Sequence, residues 1–260
     1  MNVIVCIKQV PDTTEVRLDP VTGTLIREGV PSIINPDDKA GLEAALRLKD
    51  NCGAHITALS MGPKQAEAAL TEALAMGVDE AVLLSDRRFG GADTWATSST
   101  LAAAISQMDY DLIITGRQAI DGDTAQVGPQ IAEHLGIPSI SYVEDMQAED
   151  SHVIVKRQFE DRYHIIKAKM PCLITTLSEF ASPRYMTPGG IRSAFREKEI
   201  KHLDRDDIPV KEENIGLKGS PTRVAKTFTK SPKGKGSVVK DDPAQAVEWL
   251  VERLQEKYLI

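Results

Sequence analysis

Short β-branched runs alternate with alanine- and leucine-rich helical runs over the first half of this chain, and that alternation leaves few folds open. Residues 3–7 (VIVCI), 55–60 (HITALS), 80–84 (EAVLL) and 111–115 (DLIIT) are short and almost continuously apolar. Runs of this kind read as strands buried on both faces. Helical spacing follows them. It is carried by Leu42, Ala45, Leu46 and Lys49, then by residues 65–76 closed by Gly77, 94–108, and 125–135 ended by Gly136-Ile137-Pro138. Asn35 suits the N-cap of the first of these helices and Pro36 its first turn. Residues 13–34 form an excursion, with 16–19 and 24–27 paired across a turn at 20–23. The pattern predicts an α/β fold with a mostly parallel, doubly wound sheet.

From Ser139 the pattern changes. Residues 139–142, 153–159, 163–168 and 172–177 read as strands with no helices between them, and Asp161-Arg162 as a hairpin turn. They predict an antiparallel extension of the sheet. After Pro183 the compactness signals fade, and 230–236 (KSPKGKG) is the most linker-like stretch. A last helix over 244–257 places Val247, Leu250, Val251 and Leu254 on one face. The expected division is 1–183 as a nucleotide-binding α/β domain and 184–260 as an arm. Such an arm either docks on another protein or folds back on its own domain.

Composition narrows the function. A net charge of -7 and 5% aromatic residues argue against a general nucleic-acid binder. Cys6, Cys52 and Cys172 are widely spaced, with no CxxC pair, and the histidines show no ligand spacing, so neither a disulfide framework nor a metal site is expected. No Ser/His/Asp or Cys/His constellation stands out, and His134 reads as structural. No signal-peptide pattern and no long apolar span is present, which predicts a cytoplasmic protein without a membrane segment, a mitochondrial matrix remaining open.

In an open α/β sheet, ligands lie beyond the carboxyl ends of the strands. Residues 8–11, 35–36, 61–63, 85–97 and 116–128 converge on that edge. Neither GxGxxG after the first strand nor the Walker pattern is present, which excludes an ordinary dinucleotide turn or P-loop. The stretch 116–128 (GRQAIDGDTAQVG) lies at a strand-to-helix switch. Asp123 or Thr124 can cap the helix, with Gln126 three residues after Asp123 as in a capping box. Free N–H groups at such a helix start attract phosphate. Gly116 and Gly122 allow close backbone approach, and Arg117 offers planar donors. Thr124 and the amides of Ala125 and Gln126 would meet the phosphate, while Asp121 and Asp123 accept ribose hydroxyls or cap the helix. A well-capped turn without a ligand is the competing reading. In 85–98 (SDRRFGGADTWATS), Gly90 and Gly91 precede a helix that Asp93 can cap, with Thr94 and Thr97 on its first turn. One of Arg87 and Arg88 is expected simply to face water.

VCIKQVPD (5–12), INPDDKAGLEAALRLKD (34–50), SMGP (60–63), EALAMGVDEAVLLSD (72–86), GRQAIDGDTAQVGPQIAEHLG (116–136) and SPRYMTP (182–188) stand in an order and spacing that resemble the beta subunit of electron transfer flavoprotein over nearly the whole chain. Residues 85–98 are similar to the DRxFxGxDTxATS pattern of its electron-bifurcating subgroup. The resemblance implies an adenine-nucleotide α-hydrolase-like fold and an alpha/beta heterodimer whose alpha subunit is wrapped by the C-terminal arm. It implies an FAD in this subunit that accepts hydride from NADH, the electrons being divided between ferredoxin and the alpha-subunit FAD. In ordinary members a structural AMP takes the place of that FAD. The chain is then an electron-transfer subunit, the NADH-oxidising half of a complex, with no catalytic side chain of its own. The implied nucleotide positions are Cys6, Asn35, Met61 and the loop Thr115, Gly116, Arg117, Gln118, Asp121, Gly122, Asp123, Thr124, Ala125, Gln126, Val127 and Gly128. Phe89, Gly90, Gly91, Asp93, Thr94 and Thr97 would meet the flavin ring and ribityl chain. Residues 176–185 match the family's recognition loop for an acyl-CoA, enoyl-CoA or lactate dehydrogenase-type flavoenzyme, with Phe180 where a leucine anchor is usual.

Overall fold

The computed structural model describes residues 1–12, 17–18, 25–26, 31–222, 234, 236–240 and 242–260, the pairs 17–18 and 25–26 by backbone alone. In chain order the elements are β1 (Asn2–Cys6), β2 (Gln9–Pro11), β3 (Arg17–Leu18), β4 (Leu25–Ile26), β5 (Ser32–Ile34), α1 (Pro36–Cys52), β6 (His55–Met61), α2 (Glu67–Met76), β7 (Glu80–Leu84), α3 (Thr94–Ile105), β8 (Leu112–Gly116), α4 (Val127–Leu135), β9 (Ser139–Glu149), β10 (His152–Gln158), β11 (Tyr163–Lys169), β12 (Cys172–Thr176), α5 (Pro188–Arg196), β13 (Ile200–Leu203) and α6 (Pro243–Glu256). Of the expected excursion, β3 and β4 pair antiparallel. The turn at 20–23 lies outside the described residues.

Among the described residues, nine strands form one sheet in the order β11-β10-β9-β12-β8-β1-β6-β7-β13. From β9 to β13 neighbours run parallel, and β10 and β11 add an antiparallel hairpin at one edge. This is the α/β fold with an antiparallel extension that the alternation of strands and helices predicts. Successive side chains of a strand point to opposite faces. Accordingly Val3 and Val5 join the core under α1 and α2, while Ile4 and Cys6 join the core under α3 and α4. Burial on both faces explains the near-continuous apolar runs. After β1 the chain builds outward through β6 and β7. It then returns to lay β8 on the other side of β1, so the order reverses there.

Three local features differ from the sequence expectation. β12 was expected among antiparallel strands, but the chain crosses back into the sheet and β12 pairs parallel with both β8 and β9. Its full burial fits an interior position. α3 stops at Ile105, with Ser106 as its C-cap. Residues 184–222, expected in the arm, belong to the compact unit Met1–Val224. There β13 extends the sheet beside β7. Gly190 of α5 lies so close to α2 that an added Cβ would stand 2.3 Å from the Ala75 carbonyl oxygen.

The second unit is Ala225–Ile260. Its helix α6 opens with Pro243 after Asp242, and Val247, Leu250 and Val251 are exposed along it. Among the described residues no helix is long and apolar enough to cross a membrane.

Candidate functional site

Strands β1 and β8 diverge beyond their carboxyl ends because their following segments leave in different directions, which opens a crevice at the switch point. A cleft of about 960 Å³ lies there, at the upper end of the roughly 300–1,000 Å³ common for cofactor sites. It is lined by the ends of β1, β6, β7 and β8 and by the starts of α3 and α4.

One wall is the loop after β8. It is held from outside the cleft by Asn35, which is 0% exposed. The Asn35 amide donates to the Gln118 carbonyl at 2.8 Å and accepts from the Ile120 N–H at 3.0 Å. Asn35 stands at the N-cap position of α1, but its side chain makes no cap bond and is turned to this loop instead. The Arg117 N–H donates to the Thr176 carbonyl at 2.8 Å. Lys8 Nζ reaches both carboxylate oxygens of Asp121, at 2.7 and 2.9 Å.

The expected capping box does not form. Asp123 and Ala125 have φ of 48° and 52°. These left-handed conformations carry the chain away from the helix axis. α4 therefore starts at Val127, two residues later than expected, with Gln126 at its N-cap and no side-chain cap bond. The Asp123 carboxylate accepts from the Gln118 amide instead. In consequence the backbone N–H groups of Thr124, Ala125, Gln126, Val127 and Gly128 have no partner among the described residues. All five residues line the cleft. Successive free amides at a helix start form an anion-attracting concavity.

Gly116 differs in purpose from the expectation. A Cβ there would fall 2.1 Å from Asp38 Oδ1, so its absence makes room for Asp38 and not for a ligand. Asp38 clamps the diverging strands, accepting from the Lys8 N–H at 2.8 Å and the Gly116 N–H at 3.0 Å. Burial pushes its carboxyl up to about 7, against hydrogen bonds from Asn35, Lys8 and Gly116. Gly122 does open into free space. Arg117 lines the cleft with Nε 3.3 Å from Asp37 Oδ2, yet neither atom completes a hydrogen bond.

The other wall is the glycine pair before α3. Asp93 caps α3 by accepting from the Ala96 N–H at 3.0 Å. Its second oxygen accepts from the Thr222 N–H at 3.0 Å and the Thr222 hydroxyl at 2.7 Å. Both oxygens are thus engaged by the protein, and Asp93 supports the wall by holding residues 216–222 against it. Burial raises its pKa, and these hydrogen bonds outweigh that, leaving it lowered. The Leu217 N–H donates to the Gly90 carbonyl at 3.0 Å. Thr94 Oγ1 donates to Gln126 Oε1 at 3.2 Å and joins the two walls. Behind them Ser98 lies 3.2 Å from His134 Nε2, and Trp95 stacks edge-on to that ring. Burial lowers the His134 pKa, against the raising effect of Glu133. Arg88 is tied to Asp86 and Asp206, whereas Arg87 lines the cleft.

The cleft floor includes Cys6, Met61, Phe89 and Leu101. Burial pushes the Cys6 thiol up to about 12, so it is a protonated apolar contact and not a nucleophile. Of the sequence-derived positions, Asn35, Asp121 and Asp123 do not line the cleft, and the others do. Lys64 and Thr222 line it too without having been singled out. Phe180, which stands where a leucine anchor is usual, is 8% exposed and packs into the core under α1, while Tyr185 is 95% exposed.

A mostly parallel α/β sheet with a cleft at its switch point, walled by free amides, has the architecture in which open α/β folds place their ligands. The chain belongs to the electron transfer flavoprotein family: residues 22–208 match the electron transfer flavoprotein domain. It is 58% identical over 260 residues to the electron transfer flavoprotein subunit beta of Clostridium acetobutylicum, covering 100% of both chains. It is 53% identical over 263 residues to the caffeyl-CoA reductase-Etf complex subunit CarD of Acetobacterium woodii, and 47% identical over 269 residues to the acryloyl-CoA reductase electron transfer subunit gamma of Anaerotignum propionicum, each time covering 100% of both.

Proposed function

We propose that this chain is the beta subunit of an electron-bifurcating flavoprotein, that it holds FAD in the cleft, and that it oxidises NADH within a complex with an alpha subunit. The observation that carries the reading is the row of unpartnered amides from Thr124 to Gly128, facing a cleft whose opposite wall is the Gly90-Gly91 pair. The amides suit the diphosphate, with Arg117 beside them. Cys6 and Met61 offer apolar contact to adenine. Gly90 keeps side-chain bulk off the wall, since a Cβ there would meet only the Arg87 carbonyl. Thr94 and Thr97 present hydroxyls to the ribityl chain or the ring's polar edge, and Asp93 positions them through the helix cap.

A bound flavin supplies hydride acceptance from a stacked nicotinamide, which needs no protein acid or base. The protein's part is to bind, orient and exclude water. A protonated Cys6 agrees with that. The two relatives named as parts of caffeyl-CoA and acryloyl-CoA reductases support an acyl-CoA-reducing flavoenzyme as one electron acceptor. Ferredoxin is proposed as the low-potential acceptor. The test is anaerobic titration of the purified alpha/beta complex with NADH. Loss of absorbance from the beta flavin is expected. A complex whose flavin absorbance is untouched by NADH contradicts the reading.

A further inference from the structure

Among the described residues, four cationic side chains line the cleft: Lys8, Lys64, Arg87 and Arg117. Two are engaged by carboxylates. Lys8 pairs with Asp121 at 2.7 Å, and Arg117 lies 3.3 Å from Asp37. The side chains of Lys64 and Arg87 have neither an ion-pair nor a hydrogen-bond partner among the described residues. Lys64 follows β6 and Arg87 follows β7, which are adjacent parallel strands. The two cations therefore belong to one wall. The amide cradle of α4 follows β8, across β1 from them.

The acidic groups nearby do not cancel this charge. Asp86 is held by Arg88, whose hydrogen bonds bring it down to about 2. The Asp93 carboxylate is engaged by Ala96 and Thr222, and Asp38 is bound to two backbone amides. Apolar side chains, Leu59 and Phe89 among them, also line the cleft, and β1 stands between the strands that lead to the cations and the strand that leads to the amide cradle. The cleft thus has two anion-attracting ends. A flavin dinucleotide has a single diphosphate, and the cradle of five amides accommodates it.

We infer that Lys64 and Arg87 form a second anion subsite, which takes the diphosphate of the pyridine dinucleotide that delivers the hydride. This rests on the flavin reading, because the first diphosphate must occupy the amide cradle. The two residues are specificity determinants for the electron donor and have no part in flavin retention. Arg offers a planar fork to phosphate oxygens and Lys a point charge. Removing one charge-assisted hydrogen bond weakens binding by about tenfold.

The test uses the intact alpha/beta complex with Lys64→Ala, Arg87→Ala and the double substitution. FAD content, the KM and kcat for NADH, and calorimetric binding of ADP-ribose are measured together. Unchanged FAD content is expected, with KM raised about tenfold by each single change and on the order of a hundredfold by both, and kcat nearly constant. Arg87→Lys should recover part of the loss. An unchanged KM in the double variant overturns the inference. So does loss of FAD, which would assign the two cations to the flavin. Should the wild-type complex carry no beta flavin, the flavin reading fails, and ADP-ribose still decides the subsite: binding abolished in the double variant supports it, and binding retained or absent throughout refutes it.

Discussion

Replacing Asn35 with alanine tests whether the cleft is built by the loop clamp. The Asn35 side chain is fully buried and satisfies two backbone groups of the loop after β8, the Gln118 carbonyl and the Ile120 N–H. Alanine leaves both unpaired in a partly buried place. Each orphaned group costs about 1–3 kcal/mol, so the substitution should destabilise the protein by about 2–4 kcal/mol after partial rehydration of the loop. At a urea dependence of about 2–3 kcal/mol per molar, that is a fall of roughly 1 M in the unfolding midpoint. Ligand retention should fall with it, although Asn35 does not line the cleft, because the amides it indirectly holds must be ordered again on binding. Asn35→Asp sharpens the test. Aspartate still accepts from Ile120 but cannot donate to Gln118, and it brings a second carboxylate beside Asp38. Its loss should exceed that of alanine at pH 8 and shrink as the pH falls. The assays are urea denaturation followed by circular dichroism and FAD content after gel filtration. A midpoint within 0.2 M of wild type, a margin of about half a kcal/mol, would refute the clamp.

Three further outcomes follow from the same geometry. Asp38 has a folded pKa of about 7, above its value of 3.8 when unfolded. The folded state therefore holds a proton that unfolding releases, and this contribution to stability is full below about pH 4 and lost as the pH rises through about 7. His134, with its lowered pKa, acts in the opposite direction. The pH slope should accordingly be read from the difference in urea midpoint between wild type and Asp38→Asn, and equal slopes would refute it. Thr94→Ala combined with Thr97→Ala should weaken FAD retention about tenfold, two half-buried hydroxyl contacts being worth about 1–2 kcal/mol together; unchanged FAD after gel filtration would exclude a role for these hydroxyls in holding the flavin. Deleting residues 238–260 removes the exposed apolar residues of α6 and should weaken the alpha/beta complex in size-exclusion chromatography, whereas a stable complex would make that helix dispensable.

The core strands were legible because strands buried on both faces carry uninterrupted apolar runs, as β1, β6, β7 and β8 do. β13 was not, because it lies at the sheet edge and reads Ile-Lys-His-Leu, with its two middle residues exposed. α5 was hidden by Gly189 and Gly190, and Gly190 is required by close packing on α2. In the site, the loops that converge on the strand ends were visible, since topology alone places them there. Their internal geometry was not. The sequence 123–126 satisfies the capping-box pattern, but positive φ at Asp123 and Ala125 defeats it and thereby frees the amides. Asp93 looked like a ligand because the partner that engages it, Thr222, lies 129 residues away. Asp38 was not singled out in the sequence. Its role as a clamp appears only once β1 and β8 are neighbours.

The central claim is that the amide cradle and the glycine wall hold a flavin and not a mononucleotide. Acid extraction of the purified alpha/beta complex, followed by chromatographic quantification of FAD and AMP, tests it most directly. Two FAD and no AMP per heterodimer are predicted. One FAD and one AMP would contradict the account and leave this chain as a nucleotide-stapled scaffold.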